Sequence, residues 1–93
     1  MSGESARFQE LVGQQVVVDT DSDYLYVGKL ETVDDAALVL TEADVHDSRS
    51  TATTRDVYII NTAKFGIKKN RERILVRMAR VLSVSELTDI TRY

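Results

Sequence analysis

The strongest constraint on the fold is a series of short apolar segments, each of strand length and set off by polar residues or Gly. Five segments have this character: Val16–Val18, Tyr24–Leu30, Ala36–Thr41, Arg73–Met78 and Arg80–Val84. Their β-branched, aliphatic and Tyr side chains favour strands at this length. Gly28, inside the second segment, predicts a sharp bend or a close backbone approach. Five short strands with such a bend indicate a small, strongly curved barrel.

The chain begins with helical rather than strand periodicity. Phe8, Leu11 and Val12 are spaced so that they share one side of a helix. Gly13 follows directly and can end that helix in a left-handed conformation. The sequence therefore predicts a short N-terminal helix over residues 4–12, before the first strand.

Length and composition predict one domain that spans residues 1–93. The chain is 43% hydrophobic and 29% charged, which is typical of a globular protein. It has no Pro and four Gly, so no flexible linker divides it. The segment between the third and fourth strands begins with residues 42–53, which are polar and rich in turn-forming residues and predict an insertion.

A second helix is predicted within this insertion, over residues 54–65. Thr53 and Asp56 resemble a capping box at its start. Gly66 follows the segment and can end the helix. The alternative is a strand through residues 57–60, whose residue types favour β structure.

Composition also excludes several classes of function. The sequence has no Cys, which excludes disulfides, thiolate nucleophiles and zinc ribbons. It has neither a run of about 18 apolar residues nor an apolar signal core, so we expect an intracellular, cytoplasmic protein. Because it has no phosphate-binding Gly loop and no Ser-His-Asp arrangement, we expect no enzymatic activity and no cofactor.

Charge is distributed unevenly along the chain. Residues 1–56 hold twelve Asp and Glu against four Lys and Arg, a net charge of −8. Residues 57–93 hold eight Lys and Arg against three Asp and Glu, a net charge of +5. The basic residues concentrate in Lys68-Lys69-Asn70-Arg71-Glu72-Arg73, followed by Arg77 and Arg80. Such a stretch is typical of a nucleic-acid contact, although a solvated loop or hairpin explains it equally well.

Two acidic patterns resemble metal sites only in part. An Asp-x-Asp-x-Asp pattern over residues 19–23 imitates the start of an EF-hand loop. However, Tyr24 stands where that loop needs Gly, and Leu30 stands where it needs Glu, so a hairpin turn is favoured. An Asp-x-His-Asp pattern over residues 44–47 has no fourth ligand nearby. The sequence therefore predicts no metal site.

The order and separation of the strand segments resemble the Sm and Sm-like (LSm) protein family. The first Sm motif is matched by Val16-x-Val18, Tyr26-x-Gly28-x-Leu30, Val33-Asp34 and Leu38-x-Leu40. The second Sm motif is matched by Val76-Arg77-Met78, followed by Val81 and Val84. The resemblance covers nearly the whole chain except residues 42–72, where the family tolerates variation between the third and fourth strands, so it implies that these residues are a variable insertion. It implies a mainly β fold in which a short helix precedes a five-stranded antiparallel, SH3-like barrel.

Three positions depart from the family's uridine pocket. That pocket uses an Asn, a stacking side chain two residues earlier and the Arg of the second motif. At these positions the chain has Ala37, Asp35 and Arg77, and Met78 replaces the Gly of the second motif. Ala37 cannot hydrogen-bond a base edge, and Asp35 would repel phosphate. The Tyr-Lys-His signature of the bacterial host-factor branch is also missing.

The resemblance further implies a closed ring of about six or seven subunits, sometimes about five, in which the fourth strand of one subunit pairs with the fifth strand of the next. Apolar strands left as free edges would otherwise aggregate. The apolar residues expected to support this self-association are Ile74, Val76, Met78, Val81 and Val84.

Two functions follow from the resemblance and the charge pattern. The favoured one is a ring that binds RNA with low sequence specificity through a basic pore or rim. Its expected RNA-binding residues are Arg77, Lys68, Lys69, Arg71 and Arg73. Tyr24 and Tyr26 share a strand face, where packing is favoured over base stacking. The alternative is an Sm-like scaffold that binds no RNA and contacts a protein partner through residues 42–65.

Overall fold

The computed structural model describes residues 3–49 and 53–90. The helices are α1 (Gly3–Phe8), which a 3-10 turn continues over Gln9–Leu11, and α2 (Arg55–Phe65). The strands are β1 (Gln15–Thr20), β2 (Tyr24–Val33), β3 (Ala37–Asp47), β4 (Arg71–Arg77) and β5 (Val81–Glu86). Two further 3-10 turns cover Met78–Arg80 and Leu87–Asp89. Residues 50–52 of the predicted insertion, and the chain ends at 1–2 and 91–93, lie outside the described residues.

The five strands form one antiparallel sheet in the order β4-β3-β2-β1-β5. Buried side chains from β1 to β4 share one core cluster, and Val81 and Val84 of β5 pack against it. The sheet therefore curls around this cluster, and α1 packs Phe8 against it. The predicted fold class, mainly β with a short helix before five antiparallel strands, is confirmed. Gly13 has the left-handed φ of 92° expected at the end of the first helical segment.

The third strand is longer than the sequence predicts. It continues to Asp47, whereas the sequence favoured an end at Thr41 and a polar insertion from residue 42. The cause is tertiary pairing, because the first half of β2 needs a partner and finds it in residues 44–47. Glu42, with a φ of 48°, marks the irregularity that lets the polar continuation stay in the sheet.

The fourth strand also starts earlier than predicted. It begins at Arg71, which pairs with Ala43, instead of at Arg73. Asn70 anchors this start, because its side-chain amide exchanges hydrogen bonds with the backbone of Val45 at 3.0 and 3.3 Å. Within the insertion, the part that lies outside the sheet is therefore α2 and its two connections.

Gly28 allows the close approach that its position in a strand predicted. A Cβ at this residue would lie 3.0 Å from Ala43 Cβ and 3.1 Å from the Thr41 carbonyl oxygen. The pairing of β2 with β3 shifts register between Val27 and Lys29, on either side of this glycine. The bend in β2 therefore depends on the missing side chain.

We expect Gly28→Ala to lower the free energy of unfolding by about 1–3 kcal/mol, because the new methyl group must displace backbone atoms of β3. Urea denaturation followed by circular dichroism measures the change. Lys29→Ala, at the exposed neighbouring position, is the control. Equal stability of the two variants would contradict the close approach.

Helix α2 covers the outer face of the curled sheet. Val17, Leu25 and Val27 point away from the barrel core and are at most 5% exposed. Tyr58, Ile59 and Ala63 of the helix, Ile67 and Ile90 pack against them, together with the buried Leu87. The prediction of a helix over a strand in this segment is confirmed. Across the described residues, the helices are too short to cross a membrane.

The start of α2 differs from the prediction by one residue. Its N-cap is Thr54, whose hydroxyl accepts a hydrogen bond from the Val57 amide at 3.3 Å, whereas the sequence favoured Thr53. Gly66 ends the helix with a φ of 90°, and its amide donates to the Thr62 carbonyl. Both ends of the helix are thus defined by local capping.

We expect Thr54→Ala to destabilise the protein by about 1 kcal/mol, because the Val57 amide loses its acceptor. Thr54→Ser keeps the hydroxyl and is the matched control. Thermal unfolding of the three proteins measures the effect. A serine variant as unstable as the alanine variant would show that the hydroxyl does not cap the helix.

Candidate nucleic-acid interface

The basic residues of β4 form a row on one face of an edge strand. Side chains alternate along a strand, so Arg71, Arg73 and Arg77 share the outer face with Leu75. The opposite face directs Val76 into the core, where it is 4% exposed. All three arginines are exposed to solvent. The alternation of charged and apolar residues therefore places the positive charge outside the barrel.

The five predicted RNA-binding residues do not form one compact cluster. Lys68 and Lys69 precede β4, whereas Arg77 ends it. Six residues of strand, about 20 Å, separate Arg71 from Arg77. Within one chain, the basic row is therefore an elongated strip that follows the strand.

Ion pairs neutralise part of this strip. Lys69 Nζ lies 2.8 Å from Glu72, and this hydrogen bond raises the pKa of the lysine. Arg73 lies 3.4 Å from Glu31. Lys68, Arg71 and Arg77 form no ion pair with any residue that the structure describes. They are the members of the strip with charge most available to an anion.

Arg77 lies beside the turn between β2 and β3. It pairs in register with Ala37, and the Met78 amide donates to the Ala36 carbonyl at 2.9 Å. Asp34 stabilises the turn, because its carboxylate accepts the amides of Ala36 and Ala37 at 2.8 and 3.0 Å. The structure thus brings Arg77 and Ala37 together, as the resemblance implied. What differs from the family's pocket is the side chain at residue 37, which is Ala instead of Asn.

Arg77 also borders a groove that the sequence interpretation did not include. The groove has a volume of about 300 Å³ and lies between β4 and the β1–β2 turn. Its lining includes Tyr24, Tyr26, Leu75 and Arg80. Tyr24 is 37% exposed, whereas burial raises the pKa of Tyr26. The sequence gives one indication of this groove, because Tyr24 and Tyr26 share a strand face. It does not show that β4 borders the same groove.

The acidic β1–β2 turn is balanced by three arginines from distant positions. Asp19 pairs with Arg55 of α2, and that guanidinium also donates to the Ser22 carbonyl. Asp21 pairs with Arg80 at 3.2 Å, and Asp23 pairs with Arg49 at 3.4 Å. Because Arg80 is committed to Asp21, Arg77 is the unpaired cation of the groove within the described residues.

The Asp-x-His-Asp pattern is divided among different partners. Asp44 accepts the Tyr58 hydroxyl hydrogen bond at 2.5 Å, and His46 stacks on the Tyr58 ring at 4.2 Å. Asp47 binds Arg49 at 3.2 Å instead, and this hydrogen bond lowers the pKa of its carboxyl. Within residues 3–49 and 53–90, no three potential metal ligands gather at one point.

Solved structures share this architecture at low sequence identity. The Pyrococcus abyssi Sm protein in complex with a uridine heptamer aligns over 87% of this chain and 93% of its own, with a TM-score of 0.59 and 18% identity. The chain has an Sm-like fold. The Pyrobaculum aerophilum SmAP1 heptamer aligns over 92% of this chain and 95% of its own, with a TM-score of 0.56 and 20% identity.

A third structural match comes from a complex. A chain of the NatC complex bound to Gag peptide and CoA aligns over 83% of this chain and 86% of its own, with a TM-score of 0.53 and 17% identity. No protein-family model and no curated protein matches the sequence. The likeness to solved structures therefore lies in the Sm-like fold, and a function can be inferred only from the residues of the site.

Proposed function

We propose that this protein forms an Sm-like ring that binds RNA with low sequence specificity through the basic strip of β4. The single observation that carries the proposal is the position of Arg77. It ends an edge strand, borders a groove with two tyrosines and forms no ion pair with the described residues. The other four basic residues would provide additional phosphate contacts along the strip. The proposed role is therefore binding.

Ring closure is supported by the two edges of the sheet. Strands β4 and β5 each pair with one neighbour within the described sheet, so each presents an edge. Leu75 of β4 is 63% exposed and Leu82 of β5 is 69% exposed. Pairing β4 of one copy with β5 of the next would cover both edges and both leucines. The SmAP1 heptamer is an assembly of chains with the same fold.

The side chains expected at this interface need revision. The sequence singled out five apolar residues of β4, β5 and the turn between them, but these pack into the core of their own chain: Ile74, Val76, Met78, Val81 and Val84. Leu75 and Leu82 point outward instead. We therefore assign the apolar part of the subunit contact to this pair, with the backbone of both edge strands forming the hydrogen bonds.

We expect Leu82→Asp to reduce the assembly to monomers or small oligomers, because the carboxylate would lose its hydration at the strand contact. Light scattering coupled to size-exclusion chromatography measures the mass. Val57→Asp, at an exposed apolar position of α2, is the control that should keep the assembly. A wild-type protein that is monomeric at micromolar concentration would contradict the ring.

Low sequence specificity follows from the residues beside Arg77. The Pyrococcus abyssi protein was solved with a uridine oligomer, so a chain of this fold binds single-stranded RNA. Here, Ala37 has no amide to read a base edge. Arg77 can still contact phosphate. Because the same weak contact would occur in every subunit of a ring, the assembly would bind RNA more tightly than one subunit does.

We expect Arg77→Ala to weaken binding to a labelled pool of random short RNA by about 10-fold or more, since one arginine is lost from every subunit of a multivalent surface. Fluorescence anisotropy at low salt and at about 0.15 M salt measures the affinity and its salt dependence. The variant should also have a shallower salt dependence.

Arg7→Ala, an equal charge change at an exposed position of α1, is the matched control. The mass of both variants should equal that of the wild type. If neither changes the affinity, or if both change it equally, Arg77 is not an RNA contact and the proposal is wrong.

The second candidate function is a scaffold that binds a protein rather than RNA. Two observations favour it: a chain of the NatC complex has the same fold, and α2 exposes Val57 at 49% and Phe65 at 76%. The predicted partner segment, residues 42–65, includes this helix. An intact assembly without RNA affinity above a control protein of the same charge would favour the scaffold.

A further inference from the structure

A second cavity lies between α2 and β3, away from Arg77. Its volume is about 470 Å³, which is in the range of small-ligand sites. Its lining includes Asp44, His46, Tyr58, Asn61, Phe65 and Lys68. Two aromatic rings, a carboxylate, an amide, an imidazole and an amine therefore surround one concave space. Lys68 of the basic strip also lines this cavity, and the other basic residues of the strip do not.

His46 forms part of the wall of this cavity. The residue is 8% exposed, and its Nε2 is buried without a hydrogen-bond partner among the described residues. The imidazole ring is held by stacking on Tyr58, with 4.2 Å between ring centroids and 17° between planes. The two stacked rings therefore give the cavity a fixed wall, and the polar side chains beside them are the groups that can meet a ligand.

Asp44 defines the hydrogen-bonding character of the ligand. Tyr58 donates its hydroxyl to this carboxylate at 2.5 Å. Burial raises the pKa of Tyr58 well above its usual value, and the bond to Asp44 raises it further, so the phenol stays a donor. A carboxylate has about four acceptor positions, and Tyr58 takes one of them. The wall therefore favours a ligand that presents N–H donors.

The mouth of the cavity has the other two elements of nucleotide recognition. Phe65, the last residue of α2, is 76% exposed and offers an open ring face for stacking. Lys68 is exposed and forms no ion pair with the described residues, so its ammonium can meet a phosphate. Asn61, one turn before Phe65, offers both a donor and an acceptor to a base edge.

We propose that this cavity binds a purine nucleotide, with the base stacked on Phe65, its N–H donors facing Asp44 and its phosphate facing Lys68. Adenine and guanine combine an exocyclic amino group with a two-ring face for stacking on Phe65, whereas cytosine has the amino group on a single ring and uracil has none. The nucleotide has two sources with the same chemistry, a free mononucleotide or a purine within RNA. Binding of a purine within RNA rests on the proposed function, whereas binding of a free mononucleotide does not.

Isothermal titration of the full chain with AMP, GMP, CMP and UMP tests the proposal. We expect AMP or GMP to bind at least about 10-fold more tightly than either pyrimidine nucleotide, and Phe65→Ala to weaken purine binding by about 10-fold or more. Phe65 is exposed, so this variant should fold. Asp44→Asn should reduce the preference for purine over uracil. Val57→Ala, on the same helix but outside the cavity, is the matched control and should bind like the wild type.

Competition by a short oligoadenylate distinguishes the two sources. If the oligomer displaces AMP, the cavity accepts a purine within RNA, and if it does not, the ligand is the free nucleotide. Arg77→Ala should leave AMP affinity unchanged, so loss of RNA binding by that variant would not affect this inference. The proposal is overturned if neither AMP nor GMP binds at low-millimolar concentration, or if Phe65→Ala and Val57→Ala bind them equally.

Discussion

Burial of β1 on both faces is the constraint on which the rest of the structure depends. Val16 and Val18 lie in the barrel core with no exposed surface, and Val17 between them is 5% exposed on the opposite face. A curled sheet covers its inner face by itself, but its outer face needs another element. Helix α2 and the turn at Leu87 provide that cover. The insertion between β3 and β4 is therefore part of the folded unit.

This covering has consequences for the two candidate sites. It leaves β4 and β5 as the edges of the sheet, so their backbones and the exposed Leu75 and Leu82 lie where another copy would pair, and the arginines of the basic strip remain exposed on the outer face of β4. It also places α2 beside the continuation of β3, which creates the cavity around His46. One site thus belongs to the edges of the barrel, and the other belongs to the helix that covers its outer face.

Much of the fold was predictable because local residue types and tertiary packing agree. The strand segments, the bend at Gly28 and the helix before Gly66 all have sequence patterns that the structure confirms. Prediction was wrong where polar residues pair with a strand distant in sequence, as in the continuation of β3 to Asp47. Local composition indicates a turn there, but the first half of β2 supplies hydrogen bonds that outweigh it. The sequence also proposed Ile74 for a subunit contact, whereas the structure shows that this side chain packs against the core of its own chain, because an apolar pattern does not tell which face of β4 is buried.

The sequence by itself determined the periodicities, the glycine positions and the concentration of positive charge after residue 57, since these depend on residue type and spacing alone. Arg77 was identified in this way. Only the tertiary structure decided that Arg77 lines the same groove as Tyr24 and Tyr26 and that His46 is buried with an unsatisfied nitrogen beside a cavity. These contacts join residues far apart in the chain, so they exist only after the sheet has curled and α2 has packed against it.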